Sequence, residues 1–272
     1  MYTLAKGLNA GEHVVTLVRR TEGQVGQTRF LGFDFAGGTL LAPPAARPRR
    51  IEFLGDSNTT GYGIEGGGPT CDFSASTQNF GKTWAALVAD KLDADPIAIA
   101  YSGKGVLLNL DRADRTVFQQ LYLRTVPETA EPAWDFARIV PDAVVVMLGA
   151  NDYGKENDAS TPPTLTAFKT RYAALLTFVR EKYPGAHVFT VLTPTVTDDY
   201  PAGWSARTNL RNAFSQTVAD RNRAGDARSY FVEVTPTATD DDLTACDYHP
   251  GLALHRRIAD QVLAVMKQKT GW

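Results

Sequence analysis

A parallel-stranded α/β fold is predicted for residues 46–272 by three observations. Short β-branched runs recur five times, longer segments with the helical period lie between and after them, and a proline-rich stretch sets this pattern apart from an amino-terminal region of different character. In that amino-terminal region His13–Arg19 and Arg29–Phe35 are rich in β-formers with partial period-2 alternation, which predicts two strands. The stretch Ala42-Pro43-Pro44-Ala45-Ala46-Arg47-Pro48 reads as a stiff connection and places a domain boundary between residues 45 and 46. Beyond it, strands are predicted at Ile51–Leu54, Ile97–Tyr101, Ala143–Leu148, His187–Leu192 and Ser229–Val234. Helices are predicted near Lys82–Leu92, Leu165–Lys182, Ala206–Arg223 and Leu252–Lys269. Strands that alternate with helices of this length are joined by crossovers, which makes the sheet parallel.

Composition narrows the function classes. The chain has 272 residues, enough for one large domain or a domain with an appendage, and its apolar fraction of 43% and charged fraction of 21% are ordinary for a folded globular protein. With 28 basic against 30 acidic residues the net charge is −2, which supplies no electrostatic footprint for nucleic acid or an anionic membrane surface. No apolar run approaches the roughly 18 residues that would span a bilayer, and Met1–Lys6 lacks the basic-then-apolar order of a signal peptide. Two cysteines, Cys71 and Cys246, do not by themselves decide the redox compartment. The acidic runs Asp198-Asp199 and Asp240-Asp241-Asp242 read as solvated loop charges, and no His or Cys cluster has the spacing of a metal site. The Gly66-Gly67-Gly68 run reads as a mobile loop.

The residues that carry chemistry follow the first three strands. Ser57, in Gly55-Asp56-Ser57, stands where a buried strand ends, and ligands of open α/β sheets bind outside the carboxyl ends of strands. Gly103, in Tyr101-Ser102-Gly103-Lys104-Gly105, follows the second strand, and Asn151, in Gly149-Ala150-Asn151-Asp152-Tyr153, follows the third. A backbone N–H beside a glycine and an Asn carboxamide are both suited to holding a developing oxyanion, although each tripeptide taken alone is equally a tight turn. The base follows by elimination among four histidines. His13 begins an amino-terminal strand, His187 begins a buried one, and His255 lies inside the last helix. His249, in Cys246-Asp247-Tyr248-His249-Pro250-Gly251, is on an irregular segment from which an imidazole can reach the strand ends.

In order and strand-end placement, these four segments resemble the SGNH (GDSL-like) hydrolase superfamily from about Ile51 to the end of the chain. The resemblance implies a three-layer α/β/α, flavodoxin-like fold on a five-stranded parallel sheet. It also implies Ser57 as nucleophile, His249 as general base, and an oxyanion hole from the Ser57 and Gly103 N–H groups with the Asn151 side chain. The segments Ile51–Ser57 with Gly61-Tyr62-Gly63, Ser102–Val106, and Gly11-Glu12-His13 leading to Arg19-Arg20-Thr21-Glu22 resemble carbohydrate esterase family 2 over nearly the whole chain. Members of that family are acetyl esterases of plant polysaccharides such as xylan and glucomannan, with a small β-sandwich ahead of the hydrolase. That implies an exported or periplasmic monomer acting on acetylated polysaccharide or oligosaccharide with no metal or organic cofactor.

Two departures qualify the resemblance. Residues 1–45 are too few for a whole sandwich, so they are expected to hold the last strands of a truncated, jelly-roll-like domain, with the amino terminus incomplete. Much of the superfamily places an Asp three residues before the His, where this chain has Cys246, while Asp247 lies two before. A Ser57–His249 dyad is therefore expected, with a backbone carbonyl or water orienting the imidazole and Asp247 as the alternative third member. In the implied fold Cys71 and Cys246 come to one rim, where a disulfide and two free thiols are both open. For the sugar, Trp204 and then Tyr153 are the expected aromatic contacts. Rival readings keep the same residues for a lipase or thioesterase or for a sugar O-acetyltransferase, or make the chain a non-catalytic carbohydrate-binding protein.

Overall fold

Strand β1 (Arg49–Gly55) lies inside a five-stranded sheet because Ile51, Phe53 and Leu54 supply apolar side chains to both of its faces. The structure is a computed structural model and describes residues 2–35, 37–236 and 242–272. β1 pairs in parallel with β2 (Ala94–Ala100) on one side and β3 (Ala143–Met147) on the other, and β4 (His187–Leu192) and β5 (Ser229–Glu233) complete the order β2-β1-β3-β4-β5. All five predicted strands are present, shifted at most three residues at an end.

Period-2 alternation sorts the sheet's side chains into two cores. Ile51, Phe53, Val145, Met147, Phe189 and Val191 meet α2 (Trp84–Lys91) and α6 (Leu252–Thr270). Leu54, Val144, Val146, Val188 and Leu192 meet α3 (Phe118–Tyr122), α4 (Leu165–Lys182) and α5 (Ala206–Arg223). The result is three layers, α/β/α. Each of these side chains contributes about 1.5–3 kcal/mol by leaving water. Trp84 packs edge-on to Phe53 at 5.4 Å, and its backbone N–H donates to Nδ1 of buried His255 at 3.2 Å, which locks α2 to α6. Burial pushes His255 down to about 3, so the ring is neutral and free to accept.

Two short helices escape the sequence pattern: α3, and α1 (Ser57–Thr60), are below the length at which a helical period can be read. The amino-terminal strands expected at 13–19 and 29–35 are not formed. Neither segment joins a ladder among the described residues, and Val14, Val18 and Leu31 are 76%, 65% and 84% exposed. A β-rich sequence becomes a strand only where a neighbouring strand takes its N–H and C=O groups, and neither segment is laddered to one among the described residues. Between them the chain makes a 3₁₀ turn at Gly23–Val25, next to Glu22, whose carboxylate accepts from Ser102. No described helix is long and apolar enough to cross a membrane.

Candidate active site

From β1 the chain moves outward to β2 and then returns across β1 to β3, so the carboxyl end of β1 is the switch point of the sheet, the place where ligands of open α/β sheets bind. Ser57, Gly103 and Asn151 follow β1, β2 and β3 in turn. Ser57 opens α1, in which Thr59 N and Thr60 N donate to Asp56 O at 2.9 and 3.0 Å. Asp56 caps that turn, its carboxyl accepting from Asn58 N at 3.0 Å and Asn58 Nδ2 at 3.1 Å. Burial raises the Asp56 carboxyl to about 7, and its second oxygen has no hydrogen-bond partner among the described residues.

His249 Nε2 lies 2.9 Å from Ser57 Oγ. Its Nδ1 faces two backbone carbonyls, of Cys246 at 3.2 Å and of Asp247 at 3.1 Å. A carbonyl only accepts, so Nδ1 carries the proton and Nε2 is left as the acceptor for the serine hydroxyl. Burial holds the imidazole below its usual range, against the opposing pull of those two carbonyls. Tyr62 stacks on the ring at 4.1 Å and is itself backed by Phe73 at 4.3 Å.

Asp247 does not reach the imidazole with its carboxylate. Oδ2 accepts from the Tyr62 hydroxyl at 2.8 Å and from Phe73 N at 3.2 Å instead. The backbone explains this, because Asp247 and Tyr248 both have positive φ, 53° and 56°, and the extended geometry that would aim alternate side chains to one side is absent.

The loop that carries His249 is fastened to the loop that follows Ser57. Cys246 N donates to Gly63 O at 3.2 Å, Asp247 N to Cys71 O at 3.0 Å, and Tyr248 N to Pro69 O at 3.1 Å. Cys71 and Cys246 are joined as a disulfide. Gly63, at φ +59°, has room for no side chain, since a Cβ there would stand 2.6 Å from Cys246 Cβ. The glycine run read as a mobile loop begins in this contact, with Gly66 N donating to Gly63 O at 2.8 Å.

On the other flank, Gly103 takes φ +78° in the turn closed by Lys104 N to Tyr101 O at 3.3 Å. Asn151 Nδ2 donates one hydrogen to Lys104 O at 2.9 Å, which leaves its second for a ligand. Asp152, fully buried, accepts from the N–H groups of Val106, Leu107 and Leu108 at 2.9, 2.7 and 2.9 Å and so ties the loop after β3 to the loop after β2. Burial nonetheless raises its carboxyl to about 6. Arg112 binds the carbonyls of Asn151, Asp152 and Gly154 at 3.1, 3.1 and 2.8 Å. Asp152 and Arg112 are supports that sequence reasoning missed; an Asp after an Asn reads as a turn, and nothing local marks Arg112.

The expected sugar contacts fare differently. Tyr153 is 1% exposed and packed edge-on to Phe168, so it has no face to offer a ligand and that expectation is corrected. Trp204 is partly exposed, with its backbone bonded to Pro201 and Asn209. Tyr248, next to His249 in the chain, is 60% exposed. Of the acidic runs, Asp198 accepts from Thr208 N and Oγ1 at 2.8 and 2.6 Å and Asp242 pairs with Arg257 at 2.8 Å, while Asp240 and Asp241 lie outside the described residues. Neither Asp198 nor Asp242 is therefore a free solvated charge.

Residues 53–257 match the GDSL-like Lipase/Acylhydrolase family, and residues 1–44 match the carbohydrate esterase 2 N-terminal family. The chain is 37% identical over 270 residues to the cellulase/esterase CelE of Acetivibrio thermocellus, an alignment that takes in 99% of this chain and 31% of that protein. It is 24% identical over 266 residues to an acetylxylan esterase / glucomannan deacetylase of Cellvibrio japonicus, covering 97% of this chain and 69% of the other. A solved family two carbohydrate esterase from Clostridium thermocellum, in complex with cellohexaose, superposes with a TM-score of 0.83 at 36% identity, over 93% of this chain and 74% of that one. This chain thus spans about a third of the length of CelE.

Proposed function

The chain belongs to the GDSL-like lipase/acylhydrolase family and to carbohydrate esterase family 2, and from that premise we propose that it is a serine esterase removing O-acetyl groups from plant cell-wall polysaccharide, acetylated xylan or glucomannan. The single observation that carries the reading is the 2.9 Å contact of Ser57 Oγ with a His249 Nε2 left proton-free by two carbonyls at Nδ1.

In this reading His249 takes the Ser57 proton as Oγ attacks the acetyl carbonyl carbon. The electron pair displaced onto the carbonyl oxygen meets the N–H groups of Ser57 and Gly103 and the free hydrogen of Asn151. On collapse the ester C–O bond breaks and His249 Nε2–H passes its proton to the leaving sugar oxygen. A water molecule, deprotonated by the same nitrogen, attacks the acyl-enzyme, and a second collapse releases acetate and returns the proton to Ser57. The imidazolium formed twice in this cycle is stabilised through Nδ1–H by the Cys246 and Asp247 carbonyls, which makes the pair a dyad.

Tyr248, exposed beside His249, is the ring placed against the sugar, with Trp204 a second. The Cys71–Cys246 bond supports an exported protein.

The test is labelling of Ser57 by an organophosphonate ester, together with acetate release from acetylated xylan and acetylated glucomannan and rates on short- and long-chain aryl esters. Labelling with acetate release and a preference for acetyl esters is expected. Faster cleavage of long acyl chains would favour a lipase or thioesterase. Polysaccharide binding with no labelling would make the chain a binding protein.

A further inference from the structure

The segment Arg19-Arg20-Thr21-Glu22 is the part of the amino-terminal region that docks tightly, and it docks behind the oxyanion loop. Arg20 O accepts from Phe80 N at 2.9 Å, and its guanidinium donates to Gln78 O at 2.9 Å and Ser76 O at 2.8 Å. These bonds deliver Glu22 into the body of the protein, where it is 7% exposed. Its carboxylate accepts from Ser102 N at 2.6 Å, Ser102 Oγ at 2.7 Å and Gln78 Nε2 at 2.7 Å. Its own N–H donates to Oε1 of Gln78, a fully buried residue, at 3.1 Å.

We propose that Glu22 is a positioning residue for the esterase reaction: it fixes Ser102 and thereby the direction of the Gly103 N–H, so that a residue of the amino-terminal region completes the oxyanion hole of the hydrolase domain. The inference rests on the reading of Gly103 as an oxyanion donor. Glu22 touches no reacting atom. It acts through the peptide that joins Ser102 to Gly103. That peptide plane turns about Ser102, and Gly103, with no Cβ and φ +78°, does nothing to restrain it. Clamping Ser102 at both its N–H and its hydroxyl removes the freedom that glycine leaves. Preorganised donors accelerate acyl transfer only when they are already aimed at the place where charge develops.

A carboxylate is required here rather than an amide. Three donors converge on its two oxygens, and Gln in the same place would turn an NH₂ toward at least one of them.

The experiment compares the full chain with Glu22→Gln, Ser102→Ala and Asn151→Ala on an aryl acetate, with inhibition by a phenylboronic acid, whose serine adduct carries the oxyanion. Losing an oxyanion donor outright lowers turnover by about 10²- to 10³-fold, so a misaimed one should cost roughly 10- to 10²-fold. Glu22→Gln is expected to lower kcat by that amount with KM within about twofold, and to weaken boronate inhibition in proportion. Ser102→Ala, which keeps the N–H bond to Glu22 but removes the hydroxyl's bond to Glu22 and its 3.3 Å contact with Thr60 Oγ1, should show the same signature at smaller size. It also keeps the proposal open to refutation if Glu22→Gln does not fold. Both signatures together support the positioning role. In an active chain whose Asn151→Ala variant is slowed, unchanged kcat and boronate affinity in the folded Glu22 and Ser102 variants would overturn Glu22 alone. A chain that neither hydrolyses acetate esters nor is labelled at Ser57 would overturn the esterase reading and this proposal with it.

Discussion

Asp247→Asn separates a dyad from a triad with little disturbance to the fold. Asn is among the residues that tolerate the positive φ of 53° found there, and its amide oxygen can still accept from the Tyr62 hydroxyl and Phe73 N. The backbone carbonyl of residue 247, which faces His249 Nδ1 at 3.1 Å, is untouched, as is that of Cys246. What is lost is a negative charge one aromatic ring away from the imidazole, together with the difference between a charged and a neutral acceptor for Tyr62. That difference is about 1 kcal/mol, or about fivefold in rate if all of it reaches the transition state. His249→Ala removes the proposed general base itself and should cost about 10²- to 10⁴-fold. The assay is kcat on an aryl acetate at one pH for the unaltered chain and both variants, with thermal unfolding alongside. A folded Asp247→Asn protein as inactive as His249→Ala would refute the assignment of imidazole orientation to carbonyls.

Because burial lowers the His249 pKa and the base must be neutral, kcat/KM should rise with pH around a midpoint below the ordinary imidazole value of about 6.5; a midpoint at or above that value contradicts the site described. Cys71→Ser with Cys246→Ser should lower stability by about 4 kcal/mol in chemical denaturation, and two titratable thiols in the oxidised, unaltered protein would contradict the bond. Glu52, raised by burial to about 7 and bonded to the Tyr122 hydroxyl at 2.7 Å, binds its proton more tightly folded than unfolded. Its stabilising contribution is therefore fully present below about pH 4.5 and is lost as pH rises through about 7, by up to about 3 kcal/mol. Glu52→Gln should flatten that decline in denaturation curves from pH 5 to 8. Tyr248→Ala should raise KM for acetylated polysaccharide while leaving hydrolysis of a small aryl acetate nearly unchanged, and equal effects on both would remove the ring from the sugar site.

The hydrolase domain was largely legible because its signals are local. Val144-Val145-Val146 is a strand buried on both faces whatever surrounds it, and α4 and α5 begin and end at the predicted residues. The turn residues Ser57, Gly103 and Asn151 were legible because a parallel sheet brings successive strand ends together. Apart from α1 and α3, which are too short for a period to show, the misses are non-local. The β-rich segments at 13–19 and 29–35 carry the right propensity but pair with no neighbouring strand among the described residues. Tyr153 stands next to a residue of the site yet points into the core, a direction the chain sets after β3 and the composition of the loop does not reveal. Glu22 and Ser102 are 80 positions apart, and their meeting follows from how the amino-terminal segment is laid down.

The way His249 is held gives a reason for the unusual density of fastenings around it. A carboxylate orienting an imidazole can adjust through its own side-chain rotamers, whereas a backbone carbonyl has no such freedom and aims only where its loop aims it. The carbonyls of Cys246 and Asp247 are therefore useful only if residues 246–248 are immobilised. Three interloop backbone bonds, the disulfide at Cys246 and the Cβ-free approach of Gly63 do this. The Asp247 carboxylate takes part in the same task by binding Tyr62 and Phe73 N, which holds the stacked rings against the imidazole. On the opposite flank, Asp152, Arg112 and Glu22 hold the loops that carry Asn151 and Gly103. Such a site should also fail by loosening, with Ser57 and His249 still in place. Reduction of the disulfide should accordingly lower kcat more steeply than it lowers the affinity for a neutral substrate.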